Sequence, residues 1–533
     1  MTSRCFTVAF QGIEAVPIDV QVHIAPGLPS FQIVGLGDKA VNESRERIRA
    51  AFHSMNLSLP PKRVTVNLAP ADFPKEGSHY DLAIALGILA AMNVVDSETL
   101  SEYMALGEVG LDGGIYPVVG VLPASLEASS QQKGLICPFD CAKEAAWSGL
   151  HNIVIGKTIL DVVYALKNGK RIQSPLKNKD DQGNVFHELG APFESNPTLH
   201  VGDFADVRGQ QSAKRLLEIA AAGGHHILLS GPPGAGKSML ARRFIGILPP
   251  LLPEQALEVT MIHSLAGLLP ERGLMTTPPY RDPHHSATLP ALVGGGAKCR
   301  PGEMSLAHHG VLFLDELPEF QSATLESMRQ PLETGYVSIA RANAMIRYPA
   351  QVQLIAAMNP CKCGYAGNIQ KQCNRFPNCA ENYQNRISGP LMDRFDGKVY
   401  VEEVSPMTLL SSHEAESSRD IATRVFNARK IQYARSVVLN KKDTQSDEKN
   451  GKKGNFLKPH YALNAHLSAH DLKSVTALSL ECERLLEKAV NSMHVSARGL
   501  HRILKMARTV ADLNESESIK PYHLAEAIHY RGK

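Results

Sequence analysis

Alternation of apolar and polar positions dominates the first third of the chain. VPIDVQVHI (16–24) sets them in turn, the period of a strand with one buried face. RVTVNLAP (63–70) repeats the pattern and HNIVIGKTI (151–159) returns to it. Between them NESRERIRAAFHSM (42–55) shifts to the helical period, and SHYDLAIALGILAAMN (78–93) carries so few charges that it predicts a helix buried nearly all round. Strands and helices interleaved in this way predict an α/β domain over residues 1–167.

At 168–200 the pattern gives way to polar, charged sequence (KNGKRIQSPLKNKDDQGN), which predicts a linker. Beyond it, HHILLS (225–230) and VLFL (311–314) are apolar with little or no alternation, as central strands covered on both faces must be. LIAAMNP (354–360) predicts a third strand, and ETGYVSIARANAMIRYPA (333–350) a hairpin inserted before it. Residues 201–403 thus predict a second α/β unit. From 404 to 533 the period is helical, interrupted by LNKKDTQSDEKNGKKGN (439–455), a run polar enough to predict a mobile insertion.

The strongest chemical signal lies where the first of these apolar strands ends. Residues 231–238 read GPPGAGKS, a P-loop followed by apolar residues at helical spacing. Gly231, Pro232, Pro233, Gly234, Ala235 and Gly236 bring backbone N–H groups to a phosphate, Lys237 reaches its β- and γ-oxygens, Ser238 ligates Mg²⁺, and Met239 continues the cradle into the helix. VLFLDE (311–316) supplies the acidic partner: Asp315 for the Mg²⁺ shell and Glu316 for the attacking water. Asn359 ends the 354–360 strand, where an amide can bond that water or the γ-phosphate. Arg394 in LMDRF is placed to act as an arginine finger from a subunit edge, and Arg498 opens the 496–513 helix in a sensor-2 position. The expected cofactors are ATP and Mg²⁺.

Composition adds boundaries. The chain has 533 residues, 44% of them hydrophobic and 20% charged, with net charge +3, so any nucleic-acid surface must be local. The N-terminus lacks the pattern of a signal peptide and no stretch reaches membrane-spanning length, so the expectation is a cytoplasmic protein with reduced thiols and no membrane partner. Four of nine cysteines, Cys361, Cys363, Cys373 and Cys379, fall in one polar loop and can close a Zn²⁺ site there. Four free thiols in a reduced loop remain the alternative. The histidine pairs 284/285 and 308/309 read as structural anchors ahead of metal ligands. Arg341 and Arg347 of the hairpin, with Lys298 and Arg300, are candidate contacts to DNA phosphates.

The strings RDPHHSATLPALVGGG, RPGEMSLAHHGVLFLDELPEF, LIAAMNPCKCGY, SGPLMDRFD and SARGLHRILKMARTVADL resemble the magnesium-chelatase-like AAA+ family, and within it the YifB/ComM group of bacterial competence-related ATPases. The resemblance runs over nearly the whole chain. It implies an AAA+ P-loop core with a helical C-terminal lid, assembled as a homo-hexamer with ATP sites between subunits. It implies a DNA helicase that drives branch migration on single-stranded and branched DNA in natural transformation and homologous recombination, alongside the recombinase machinery. The alternative is a metal-chelatase-type motor subunit. Separately, PKEGSHYDLAIA (74–85) and IYPVVGVLPASLEA (115–128) resemble the segments of Lon-type proteases that hold their catalytic serine and lysine. That implies a Lon-protease-like (ribosomal S5 domain 2-like) fold. His79 stands at the serine position and Ala124 at the lysine position, Ser78 is one step off, and no lysine follows Gly120 until Lys133. The fold is therefore expected without protease chemistry, as a scaffold or DNA-contacting domain.

Overall fold

The structure, a computed structural model, describes residues 2–168, 202–449 and 462–532, apart from short gaps at 36, 73, 270–272, 297–298, 342–343, 367–373, 405–415 and 494. The expected linker, Lys298, Cys373 and the end of the polar insertion lie outside the described residues, as does the side chain of Arg341.

Seven strands build the N-terminal unit: β1 (Thr2–Gln11), β2 (Glu14–Ala25), β3 (Ser30–Val34), β4 (Arg63–Ala69), β5 (Tyr103–Ala105), β6 (Gly134–Pro138) and β7 (Ile153–Gly156). They form one mixed sheet in the order β3-β4-β2-β1-β5-β6-β7, antiparallel at β1/β2 and β2/β4 and parallel elsewhere. Helix α1 (Lys39–Ser54) is amphipathic, whereas α2 (Asp81–Ala91) is buried along its whole length, as its lack of charge predicts. Its one carboxylate, Asp81, is pushed up by burial and held by Arg47 at 2.6 Å and by Ser44.

The second unit is a five-stranded parallel sheet: β8 (Ile227–Ser230), β9 (Tyr280–Arg281), β10 (Val311–Leu314), β13 (Gln353–Met358) and β14 (Gly397–Tyr400), in the order β9-β10-β13-β8-β14. The numbers omitted belong to the hairpin β11 (Tyr336–Arg341) and β12 (Ala344–Pro349). The register explains the unbroken apolar runs. Leu229, Phe313, Ile355 and Ala357 face one core cluster, while Leu228, Leu312, Leu354 and Ala356 face another, so neither face can be polar. Helix α3 (Gln211–Gly223) and the C-terminal helices pack on the first of these faces.

The P-loop helix α4 (Lys237–Arg243) is shorter than its apolar spacing suggests, tightening into a 3₁₀ turn at Phe244–Ile247. Further on lie α5 (Pro253–Ala266) and α6 (Arg329–Thr334). The C-terminal helical region, where a lid is expected from sequence, contains α7 (Ser418–Lys449), α8 (Leu480–Met493), α9 (Ala497–Leu513) and α10 (Pro521–Arg531). Helix α7 runs into the segment expected to be a mobile insertion; its sequence is polar but has no glycine or proline before Gly451, so nothing in the backbone chemistry stops the helix earlier.

The two units touch at two places. Ser264 of α5 accepts from the Gly120 N–H at 3.1 Å and donates to the buried Glu144 carboxylate. The hairpin rests on the β1–β2 turn: Gln11 Nε2 donates to the Met345 carbonyl at 3.4 Å, and at Gly12, φ +69°, a Cβ would meet the Arg347 carbonyl oxygen at 2.3 Å.

Candidate active site

The P-loop, the acidic pair and Asn359 leave the C-terminal ends of the adjacent strands β8, β10 and β13, the edge where parallel α/β sheets present ligand-binding groups. Gly236, at φ +93°, turns the chain into α4 so that Lys237 opens the helix. The Lys237 ammonium donates to the carbonyls of Gly231 and Pro232 at 2.7 and 2.8 Å and to Asn359 Oδ1 at 3.0 Å. Burial lowers its pKa, and Asp315 and Glu316 pull the other way. Ser238 Oγ donates to Asp315 Oδ2 at 2.6 Å, so the hydroxyl and carboxylate that could hold Mg²⁺ already share one point. Amine, hydroxyl and carboxylate converging at a strand edge fit a Mg²⁺-nucleoside triphosphate.

Glu316 follows Asp315 in a left-handed conformation, φ +52°. This sparsely populated backbone costs about 1–3 kcal/mol and is held by the Glu316 N–H donating to Asp315 Oδ1 at 2.9 Å. Its side chain turns toward His285, whose Nδ1 lies 3.4 Å from Oε2. Sequence reasoning took His285 for a structural anchor. Its place just beyond β9, the edge strand that pairs with β10, is not readable from local pattern.

Arg394 and Arg498 do not join this group. Among the described residues neither makes a hydrogen bond or ion pair with Lys237, Ser238, Asp315, Glu316 or Asn359. Arg394, expected at a subunit edge, is buried within its own chain. It is 5% exposed, donates to the carbonyls of Arg329 (3.2 Å) and Pro390 (2.6 Å), and pairs with Glu333 at 2.6 Å. A guanidinium with five donors fills its valences locally when carbonyls surround it. Arg498 stands in the first turn of α9, after the Ser496 cap, with Nη1 3.9 Å from the same Glu333 carboxylate. Glu333 is the second residue that sequence reasoning missed.

The C-terminal helices and the parallel-sheet unit are joined by buried polar contacts. Asp396 accepts from Arg502 at 2.6 Å and from the His226 N–H at 3.0 Å, and His225 Nε2 meets Thr509 Oγ1 at 2.8 Å. Burial lowers the His226 pKa to about 4.

Cys361 and Cys363 place their sulfurs 3.0 Å apart, and with Cys379 the three lie within 4.8 Å of one another, directly after Asn359. Three convergent thiols are compatible with zinc. Glu258, His308 and His309 also converge. There the Gln351 N–H donates to His308 Nδ1, so the ring proton sits on Nε2, facing Glu258 at 3.2 Å. That nitrogen donates a hydrogen bond and offers no lone pair to a metal. The trio ties α5 to the entry of β10. In the N-terminal unit Ser78 bonds Glu108, buried His79 meets the Val8 carbonyl at 2.9 Å, Ala124 is buried, and Lys133 lies over the Phe6 ring at 3.8 Å.

Three family models match in succession: one described as subunit ChlI of Mg-chelatase over residues 20–141, one as magnesium chelatase, subunit ChlI over 203–409, and the ChlI C-terminal model over 415–531. Competence protein ComM of Haemophilus influenzae is 40% identical over 524 residues, 98% of this chain and 96% of that protein. YifB of Salmonella typhimurium is 39% identical over 527 residues, 98% and 96% of the respective chains. The chain belongs to the YifB/ComM family. A magnesium-chelatase 67 kDa subunit of Chlorobaculum tepidum, by contrast, is 29% identical over 163 residues, 30% of this chain and 23% of that subunit. The mixed α/β core with its parallel sheet is consistent with the AAA+, magnesium-chelatase-like part of a YifB/ComM protein, and that membership implies ATP and Mg²⁺. Among the described residues no helix is long and apolar enough to cross a membrane.

Proposed function

We propose that this protein is an ATP-driven DNA motor: a homo-hexameric helicase that promotes branch migration and so integrates incoming DNA during natural transformation and homologous recombination. The observation that carries the reading is the convergence of Lys237, Ser238, Asp315, Glu316 and Asn359 on one strand edge. Likeness to a competence protein over 98% of the chain gives the motor its DNA context.

In this reading Lys237 neutralises the β- and γ-phosphates, and Ser238 and Asp315 hold the Mg²⁺ that screens charge as the γ-phosphoryl leaves. Glu316 accepts the proton of the attacking water, and Asn359, bonded to Lys237, senses whether the γ-phosphate is in place. Arg394 and Arg498 complete the site of an adjoining subunit. Hydrolysis then moves the hairpin, where exposed Arg347 meets the DNA backbone. The three thiols after Asn359, with Cys373, hold Zn²⁺ and stiffen the sensor strand's exit. The N-terminal unit serves as a scaffold.

Synthetic Holliday junctions test this. The intact protein is expected to migrate them with ATP, and Lys237→Ala to leave them unmoved. ATPase activity indifferent to DNA but stimulated by partner subunits and a porphyrin would overturn the motor in favour of a chelatase-type subunit.

A further inference from the structure

We propose that Glu333 is a release latch: it holds the two arginines destined for the adjoining subunit's nucleotide, and surrendering them frees the pore hairpin to move. The inference deepens the proposed function and rests on it.

Arg394 has three partners, but the Arg329 and Pro390 carbonyls are neutral. Glu333 is the anion in direct contact with the buried charge, with Glu326 acting on it from farther off, and such a guanidinium gives up one anion only for another. The exchange has a path. Glu333 is 50% exposed and Arg498 75%, so the cluster is open on one side. Two guanidiniums against one carboxylate leave an excess positive charge facing that opening, where a triphosphate offers several oxygens in bidentate geometry.

The segments that carry the two arginines are tied together. One turn beyond Arg498, Arg502 donates to the Arg394 carbonyl and to Asp396, at 2.5 and 2.6 Å, and Arg531 of α10 donates to the Phe395 carbonyl. Arg502 and Arg531 thus couple the backbone of the Arg394 segment to α9, which carries Arg498, and to α10. Glu333, however, belongs to a different element: it ends α6, and Tyr336 begins β11 three residues later. Drawing the arginines toward a phosphate separates the lid from the base of the hairpin, whose far strand leans on the N-terminal unit through Met345 and Arg347. Nucleotide in one subunit is thereby reported to the DNA-facing hairpin of the next.

The test is steady-state ATPase at ring-forming concentration, with and without a single-stranded oligonucleotide. Glu333→Gln removes the latch charge and keeps the side chain's shape. Basal turnover is expected to rise about 1.5- to fivefold, and stimulation by DNA to shrink by a similar factor, because an ion pair open to solvent on one side is worth that much. Arg394→Ala should lose turnover, alone and combined with Glu333→Gln. Glu326→Gln, which removes a charge that pairs with Arg329 and acts on Arg394 only from farther off, should raise basal turnover by a clearly smaller factor than Glu333→Gln. Unchanged or lower rates in Glu333→Gln beside an inactive Arg394→Ala would overturn the latch while leaving the motor intact. The same rise in Glu326→Gln would overturn it too, as a general field effect. Full turnover in Arg394→Ala would instead defeat the trans-arginine reading itself. Should Glu333→Gln not fold, Glu333→Asp is expected to raise basal turnover by a smaller factor, and a fall there overturns the latch.

Discussion

Two substitutions beside the β10 strand end separate the roles of Glu316 and His285. Glu316→Gln keeps the side chain's size and the left-handed backbone but cannot accept a proton. Positioned general bases contribute roughly 10²–10⁴-fold, about 3–5 kcal/mol of barrier. His285 is a different matter. Its Nδ1 lies 3.4 Å from Glu316 Oε2, beyond the usual range for a strong N–H···O bond, and the side chains are 36% and 51% exposed. A contact so solvated is worth about 0.2–1 kcal/mol, so His285→Ala should slow turnover by no more than about fivefold. Single-turnover release of the γ-phosphate, with nucleotide binding followed separately by a fluorescent analogue, reads both quantities. Glu316→Gln is expected to bind ATP with near-normal affinity and to stall. His285→Ala should bind normally and turn over at a somewhat reduced rate. If His285→Ala stalls as completely as Glu316→Gln, the imidazole is no mere support for the carboxylate, and the assignment of Glu316 as sole base is wrong.

Other expectations follow from single contacts. Lys237→Ala deletes a charge-assisted contact to phosphate and should weaken nucleotide binding by about 1.5–3 kcal/mol, roughly 10- to 150-fold in Kd, measured by titration calorimetry. Metal analysis of the purified protein should find about one zinc per chain, lost when Cys361, Cys363, Cys373 and Cys379 are all changed to Ser and retained in Glu258→Gln, since the His308 nitrogen facing Glu258 carries a proton. Zinc that follows Glu258 would reverse that assignment. At the contact between units, burial pushes the Glu144 carboxyl up, so the neutral form favours the closed interface. Its contribution is full below the unfolded carboxyl's pKa and is lost as pH rises through the higher folded value. Hydrogen-exchange protection of α5 should therefore fall as pH is raised, and Glu144→Gln should flatten that dependence. Ser264→Ala should cost the same interface about 1–3 kcal/mol, because the Gly120 N–H loses its acceptor.

What could be read from sequence was whatever the chain states contiguously. The apolar run Val311–Leu314 became a strand with the expected bounds, because a strand covered on both faces leaves no room for polar residues. The Lys237–Ser238 and Asp315–Glu316 pairs met at one edge because strand, loop and helix fix their directions locally. The hairpin was legible through its β-branched and aromatic pattern. By contrast, Glu333 and His285 have no local signature: each is a polar residue near an element end, and only tertiary packing, the pairing of β9 with β10 for His285 and the approach of α6 to the Arg394 segment for Glu333, brings it to a partner distant in sequence. The burial of Arg394 was not legible for the same reason. A motif gives the identity of a side chain, but the Arg329 carbonyl and the Glu333 carboxylate that hold it come from a distant part of the chain. The division has a mechanical consequence. Groups that must face a phosphate at fixed geometry are set by neighbouring backbone, which cannot drift. Groups that must change partners during a cycle are set by contacts between elements, which can slide. In the proposed cycle the contact that sequence leaves dark, Glu333 at the base of the hairpin, is the one that would change partners.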